Sequence, residues 1–519
     1  MARPIAEIAP SPSPNTKLTL LPARETATVK LPSFYFRDRG GWVLLTNDCG
    51  YHVMMEAADF ELYAAGRMSQ EHPLWQELLA KGFIREGMDF QALAKKFASK
   101  NEFLWYAGPS LHMIVVTLRC NQKCHYCHAS VVDPSRTDMD MSVETAKRTV
   151  DFIFSTPNPS LCIEFQGGEP LVNWPVVQFI VEYAHKRASW EKRRLLLSLV
   201  SNFTLLNDER ADYLLKRHVS LCTSLDGPAQ VHDKNRPLLG GGPSHEKVVA
   251  ALKRIQDRCR GAGEKTYYLP SALMTTTRFS LPYGKEIVDQ YVELGMGQIF
   301  LRALAPIGFA KRVWGEIGYS SKEFVEFYEK TLDYILDLNH QGTEIVERLT
   351  LVLLTKILKQ QDPGYMDLRS PSGAGLSAVA YNYNGDVYAG DEGRMVAQEG
   401  DDLFKIGSVG ASAWEQAATH AATRACAISS TLDGQTLCSQ CAYKPYCGVE
   451  PVYHYETQNS IFGNLATSAW CDRHMGIFDV LFAKLRDPKA RAIFERWLAQ
   501  DRCMWQESGP EALENGKKN

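Results

Sequence analysis

The chain has no excess of charge of either sign and no long apolar run. Its formal net charge is −3 over 519 residues, from 57 basic and 60 acidic side chains. Such a balance gives no electrostatic basis for binding nucleic acid or an anionic membrane surface. No apolar stretch approaches the roughly 18 residues of a membrane span, and residues 1–17 lack the apolar region of a secretory signal. We therefore predict a cytoplasmic protein without nucleic-acid or membrane partners.

Cysteine, by contrast, is plentiful but unevenly placed. There are 13 cysteines, an odd number, and none lies between Cys259 and Cys426. A disulfide framework is typical of short secreted chains, so clustered thiols in this long chain are interpreted as metal or cluster ligands. Apolar residues make up 45% and charged residues 23%, which is ordinary for a globular protein, and the length predicts about three domains.

The densest thiol group follows a predicted buried strand at residues 114–118. The loop after it carries Cys120, Cys124 and Cys127, with Tyr126 just before the third cysteine. Three thiolates can hold three corners of a [4Fe–4S] cube, which leaves one iron open for another ligand. A zinc site is the alternative, although zinc loops usually present cysteine pairs.

This loop resembles that of the radical S-adenosylmethionine (radical SAM) superfamily. The resemblance continues through short motifs at the ends of later predicted strands, and it implies that these motifs bind SAM. The implied SAM-binding residues are Tyr126, Gln166, Gly167, Gly168, Glu169, Ser201, Asn202, Ser224, Arg236 and Leu304. Phe203 departs from the family pattern, because relatives often carry glycine there. A surface salt bridge is the alternative interpretation of Arg236.

Strands alternate with helices after residue 109, which predicts an α/β fold with a parallel sheet. Six strands are predicted, at residues 114–118, 161–165, 195–200, 221–225, 267–274 and 298–302. They suffice for a partial (β/α)6 TIM-like barrel, whose ligands gather at the C-terminal strand ends.

Residues 21–108 predict three short strands, two helices and a last strand at 83–84. That order resembles the winged-helix-like domains by which peptide-modifying enzymes bind a leader peptide as an added strand. A structural cap on the barrel is the alternative.

The C-terminal region resembles the SPASM (twitch-like) auxiliary-cluster domain of such enzymes. A hairpin is predicted around Asn384-Gly385, and four cysteines follow it: Cys438, Cys441, Cys447 and Cys471. Four thiolates close an auxiliary [4Fe–4S] cube, with structural zinc as the alternative. Gly390 and Pro451 stand where relatives have cysteines, so one of the usual two auxiliary clusters has lost its ligands.

Asp391 matches an acidic residue of the family. The resemblance implies that this residue is the catalytic base, which takes a proton from the substrate after hydrogen abstraction. An ordinary turn aspartate is the alternative. Glu392 and Arg394 are secondary candidates.

The expected organisation is a flexible lead (1–20), a winged-helix-like domain (21–108), a radical SAM core (109–310), a helical bridge (311–370), an auxiliary-cluster domain (371–475) and a C-terminal helix and tail (476–519). Within the superfamily, the segment at 381–395 and the N-terminal unit most resemble the maturases of His-Xaa-Ser peptide systems.

The resemblance implies an oxidoreductase that cleaves SAM to a 5′-deoxyadenosyl radical and oxidises or cross-links a ribosomally made precursor peptide. Its expected partners are that peptide with its leader, a flavodoxin- or ferredoxin-like one-electron reductant, and a second maturase. A protein dehydrogenase of the sulfatase-activating kind and a non-catalytic iron–sulfur or zinc scaffold that delivers a peptide are the alternatives.

Overall fold

The computed structural model describes residues 29–104, 108–261 and 269–501. The predicted lead at 1–20 and the end of the predicted tail lie outside these residues. The chain divides into two compact units, Met1–Phe97 and Ala98–Asn519.

The smaller unit contains an antiparallel sheet in the order β1-β2-β3. Its elements are β1 (Tyr35–Asp38), β2 (Trp42–Thr46), β3 (His52–Glu56), α1 (Ala57–Ala64), α2 (Trp75–Ala80) and α3 (Phe90–Lys100), the last of which crosses the division at residue 97. The three predicted strands are confirmed, and α3 was not predicted.

The predicted strand at residues 83–84 is wrong. Phe83 and Ile84 are buried in the core of the smaller unit, but the backbone of Phe83 is satisfied without a strand partner. Its N–H donates to the Leu78 carbonyl and its carbonyl accepts from Tyr63 Oη at 2.8 Å. Burial of two apolar side chains produced the strand-like pattern.

The larger unit is built on an eight-stranded sheet in the order β13-β12-β11-β4-β5-β6-β7-β8. The strands of this unit are β4 (Leu111–Val115), β5 (Ser160–Gln166), β6 (Arg194–Ser201), β7 (Val219–Ser224), β8 (Ser271–Leu273), β9 (Gln298–Ile299), β10 (Val346–Glu347), β11 (Ala378–Tyr381), β12 (Asp386–Tyr388) and β13 (Lys405–Ser408). Strands β4 to β8 are parallel, as the alternation of strands and helices predicts.

Helices cover and extend this sheet. They are α4 (Val143–Ser155), α5 (Trp174–Glu191), α6 (Asp208–Lys216), α7 (Ala229–Asn235), α8 (His245–Gly261), α9 (Gly284–Glu293), α10 (Phe309–Arg312), α11 (Trp314–Ile317), α12 (Ser321–His340), α13 (Arg348–Leu354), α14 (Asp391–Gln398), α15 (Trp414–Ala418), α16 (Ala421–Ser430), α17 (Pro451–Gln458), α18 (Ala469–Leu485) and α19 (Pro488–Gln500). Within the described ranges, none of the helices combines the length and apolarity that crossing a bilayer would require.

The predicted hairpin joins the barrel sheet itself. Strand β11 pairs antiparallel with β12, across a turn in which Gly385 has φ 89°, and parallel with β4 on its other side. The sequence predicts this hairpin as part of a separate C-terminal domain. Because β4 feeds the cysteine loop, the pairing brings the C-terminal segment beside that loop.

Two other predictions need correction. The sixth predicted strand forms as β9, but it pairs with β10 instead of extending the main sheet. The predicted helical bridge (311–370) is not helical throughout, because β10 precedes α13, which starts at Arg348 and continues into a π-helical turn at Thr355–Lys359.

Candidate active site

A cavity of about 1000 Å³ lies at the C-terminal ends of the parallel strands. Most of the residues predicted to bind cofactors or substrate line it. They are Cys120, Cys124, Tyr126, Cys127, Gln166, Gly167, Gly168, Ser201, Asn202, Ser224, Arg236 and Asp391. Glu169, Leu304 and the four C-terminal cysteines are not among the described residues that line it.

Gly167 and Gly168 allow the strand end to approach the start of the cysteine loop. Gly168 N donates to the Thr117 carbonyl at 2.9 Å. A Cβ added at Gly167 would lie 2.3 Å from Thr117 O, and one at Gly168 would lie 2.3 Å from Arg119 O. Only residues without a side chain fit both positions.

Glu169 serves the framework of the site. Its side chain is fully buried, and its carboxylate accepts from Ser201 Oγ and Asn202 N, each at 2.8 Å. Glu169 therefore links the segment at 166–169 to the segment at 201–202, without lining the cavity itself.

Phe203 has φ 57°, in the left-handed region. Glycine adopts this conformation readily, which accounts for the glycine that the resemblance leads us to expect there. This chain keeps the backbone geometry of the turn and adds a fully buried aromatic side chain.

Arg236 belongs to a buried ion pair, so the surface interpretation is wrong. Arg236 Nε lies 3.2 Å from Asp226 Oδ2, and the two side chains are 11% and 0% exposed. The guanidinium also stacks 4.9 Å from the centre of the Tyr126 ring, and its Nη1 lies 4.0 Å from Cys124 Sγ. One cation thus contacts the cysteine loop at two points.

Asp226 holds together the residues beside this corner of the cavity, a role that no sequence pattern predicts. Its carboxylate accepts from Tyr126 Oη at 2.7 Å, Asn235 Nδ2 at 3.1 Å and Thr275 N at 3.1 Å. These donors come from three separate segments, so only the folded chain reveals their meeting point.

The cysteine loop is held by backbone hydrogen bonds as well. Lys123 N donates to Pro237 O and His125 N to Asn235 O, each at 2.9 Å, and Phe309 N donates to Cys127 O at 3.1 Å. The loop is therefore fixed from two sides.

The donor set of the loop fits an iron–sulfur cluster. Burial raises the pKa of Cys124 to about 12, although Arg236 opposes the rise, and burial also raises the pKa of Cys127. A positively charged metal centre is what holds such thiols as thiolates. Cys120, Cys124 and Cys127 all face the cavity.

Asp391 is the first residue of α14 and lies in the cavity wall. Its Oδ1 accepts from Arg394 Nε at 2.7 Å, and Arg394 is 1% exposed. Within the described part of the chain, Arg394 Nη1 is buried without a hydrogen-bond partner. The turn-aspartate interpretation is therefore incomplete, because the carboxylate is part of a buried ion pair.

The carboxylate of Glu392 lies next to Gly390. A Cβ added at Gly390 would come within 3.8 Å of Glu392 Oε2. Burial raises the pKa of Glu392 to about 7, with further contributions from the charges of Asp367 and Asp391. A carboxyl group thus stands beside the position where relatives carry a cysteine.

We expect Glu392→Gln to flatten the dependence of stability on pH. The pKa of Glu392 is 4.5 in the unfolded chain and about 7 in the folded protein. The protonated carboxyl therefore stabilises the fold fully below pH 4.5, and this stabilisation is lost as the pH rises through about 7. The wild type should lose on the order of 1–3 kcal/mol of unfolding free energy over this window, and the variant less. Urea denaturation at several pH values measures this, with the exposed Glu293→Gln as control. Parallel curves for wild type and Glu392→Gln would contradict the assignment.

The four C-terminal cysteines form a second thiol group. Cys438, Cys447 and Cys471 pack against an apolar cluster of Leu432, Val449 and Leu465. Burial raises the pKa of Cys447, and the charges of the other three cysteines raise it further. Tyr443 N donates to Cys441 Sγ at 3.4 Å. Four soft thiol donors suit an iron–sulfur cluster or zinc.

Two observations differ from what the predicted site leads us to expect. Leu304 is 1% exposed, and its N–H donates to Tyr319 Oη at 2.7 Å, so its predicted contact with SAM stays a prediction. Among the residues that the structure describes, no group of three or more Cys, His, Asp or Glu side chains is arranged to hold a single metal ion.

Comparison with known families matches residues 114–269 to the radical SAM superfamily. This segment is a radical SAM domain. The match begins in β4 and includes the cysteine loop, Gly167-Gly168, Asp226 and Arg236. The predicted radical SAM resemblance is confirmed, and the domain implies a [4Fe–4S] cluster and SAM as cofactors.

Curated proteins match parts of this chain. An uncharacterised protein of Methanocaldococcus jannaschii is 29% identical over 38% of this chain and 63% of its own length. The radical SAM cyclopropyl synthase TigE of Paramaledivibacter caminithermalis is 26% identical over 28% of this chain and 32% of its own. The chain thus spans less than two thirds of these relatives.

The fold is that of radical SAM enzymes. The structure named "Native anSMEcpe with bound AdoMet" superposes with a TM-score of 0.60 at 18% identity, over 74% of this chain and all of that one. A second structure of that protein holds AdoMet and the Cp18Cys peptide, with a TM-score of 0.59. The predicted fold class is confirmed.

Proposed function

We propose that this protein is a radical SAM peptide maturase that oxidises or cross-links a residue of a ribosomally made precursor peptide. The observation that carries the proposal is a cavity of about 1000 Å³, whose walls include both the three-cysteine loop and Asp391. That volume accommodates a cofactor of SAM's size together with a substrate side chain.

Within this proposal, Cys120, Cys124 and Cys127 hold the first cluster. The cluster and SAM, when bound, supply a 5′-deoxyadenosyl radical that removes a hydrogen atom from the substrate. Gly167 and Gly168 let the backbone line the SAM site closely. The guanidinium of Arg236 suits the carboxylate of SAM, while the buried walls exclude water from the reacting atoms.

Proton removal is assigned to the start of α14. Asp391 takes the proton that the substrate loses as it is oxidised, and Arg394 holds the carboxylate in place. A second candidate is Glu392, since it lines the same cavity and its pKa of about 7 suits a general base at neutral pH.

The auxiliary cluster is assigned to Cys438, Cys441, Cys447 and Cys471. A cluster held there would supply a one-electron acceptor for the substrate radical, so that the net reaction would be an oxidation. A flavodoxin- or ferredoxin-like protein reduces the first cluster, and a second maturase acts beside this one.

Metal content tests this assignment directly. The anaerobically reconstituted chain should contain about eight irons, and Cys438→Ala should contain about four. Cys426→Ala, which removes a single buried thiol from α16, should keep about eight. About four irons and one zinc in the wild type would make the C-terminal site structural, and the electron-acceptor role would be wrong.

The proposed substrate is a peptide of the His-Xaa-Ser type. Support comes from the resemblance of residues 381–395 to maturases of that system and from the smaller unit, whose three-stranded sheet offers an edge at β1 for a leader strand. The superposition with the sulfatase-maturating fold favours a second candidate, a dehydrogenase of a protein Cys or Ser residue. Product analysis with a sulfatase-derived peptide separates the two.

A further inference from the structure

Lys356 is a buried cation in an irregular helix. It lies in the π-helical turn Thr355–Lys359 and is 6% exposed. Its Nζ donates to the carbonyl of Leu368. Single π-helical turns often occur at functional sites, and burying an ammonium group is costly unless something nearby compensates its charge.

No carboxylate pairs with Lys356 in the described ranges of the chain. The negative charge of Asp362 raises the pKa of Lys356. However, the Asp362 carboxylate already accepts a hydrogen bond from Arg369 Nε at 2.9 Å. The positive charge of Lys356 is therefore left for another anionic group.

The available partner is the C-terminal thiol group. The backbone of Leu368, which binds Lys356, packs directly on Gly448, the residue after Cys447. A Cβ added at Gly448 would lie 2.7 Å from Leu368 Cα. The charges of Lys356 and Cys447 act on each other: Lys356 opposes the rise in the pKa of Cys447.

We propose that Lys356 is a positioning residue that raises the reduction potential of an iron–sulfur cluster held by the four C-terminal cysteines. One electron added to the cluster increases its negative charge by one. A buried cation nearby stabilises that reduced form, because Coulomb interactions are strong where water is excluded. The potential then favours acceptance of an electron from the substrate. This inference rests on the proposed auxiliary cluster.

The experiment measures the midpoint potential of the auxiliary cluster by EPR-monitored redox titration of the full reconstituted chain. Lys356→Gln removes the charge but can still donate to Leu368 O, and Lys356→Met is a second neutral variant. We expect the equilibrium constant for reduction to fall at least about tenfold in both, which is about 59 mV for one electron. Lys356→Arg should remain within about twofold of the wild type.

Lys444→Met is the matched control. Lys444 also lies near the thiol group, and its positive charge lowers the pKa of Cys438. Unlike Lys356, which has no carboxylate partner among the described residues, it forms an ion pair, with 2.6 Å between its Nζ and Asp433 Oδ1. We expect a smaller shift than in Lys356→Gln.

An unchanged potential in Lys356→Gln with its iron intact would overturn the proposal. Equal shifts in the Arg and Gln variants, or loss of auxiliary iron from both neutral variants, would show a purely structural role and also overturn it. A wild type with only about four irons would instead overturn the proposed cluster itself.

Discussion

Cys124→Ala is expected to abolish the production of 5′-deoxyadenosine from SAM under reducing conditions. Two remaining thiolates cannot hold three corners of the cube, so the first cluster is lost with about four irons. The variant also removes the sulfur that lies 4.0 Å from Arg236 Nη1. Chromatographic assay of deoxyadenosine with dithionite as reductant measures the effect, and it needs no peptide substrate.

Cys162→Ala is the matched control for this variant. Cys162 is a single thiol within β5 and is not one of the described residues that line the cavity, so its variant should keep both iron and activity. Deoxyadenosine at the wild-type level from Cys124→Ala would show that this loop does not hold the reactive cluster. A wild type that produces none would favour the non-catalytic scaffold.

Sequence reasoning predicted well those features that depend on residues close together in the chain. The cysteine loop follows a buried β-branched strand, and its spacing predicts a site of three thiol ligands. Gly167 and Gly168 lie at a strand end because their backbone must approach Thr117 and Arg119. The turn at Asn384-Gly385 needs a positive φ, which Gly385 supplies at 89°.

The features that sequence reasoning missed depend on distant partners. The pairing of β11 with β4 joins residues more than 260 positions apart (Ala378 with Leu111), and no local pattern specifies it. The contacts of Asp226 come from three separate segments, so no local pattern predicts its role. Lys356 lies in an apolar segment with helical periodicity. Its sequence neighbours do not distinguish it from a lysine on the exposed face of a helix.

Asp226→Asn should be the most destabilising conservative change in the site. Asparagine keeps the shape of the side chain and can still accept from Tyr126 Oη, but it leaves the guanidinium of Arg236 buried without its counter-charge. Breaking one partner of a buried pair costs about 3–5 kcal/mol. SAM affinity should fall as well, since Arg236 and Tyr126 both depend on this carboxylate for their positions.

The matched control for this variant is Asp212→Asn, at an ion pair on the surface. Asp212 Oδ1 lies 2.8 Å from Arg258 Nε, but its side chain is 65% exposed, and exposed pairs contribute about 0–1 kcal/mol. Chemical denaturation of both variants, with calorimetric titration of SAM, compares the two environments under one protocol. Because both variants lose one aspartate charge, net charge cannot explain a difference between them. Equal losses of stability would mean that Asp226 does not compensate a buried cation, and the construction of the SAM site around it would be wrong.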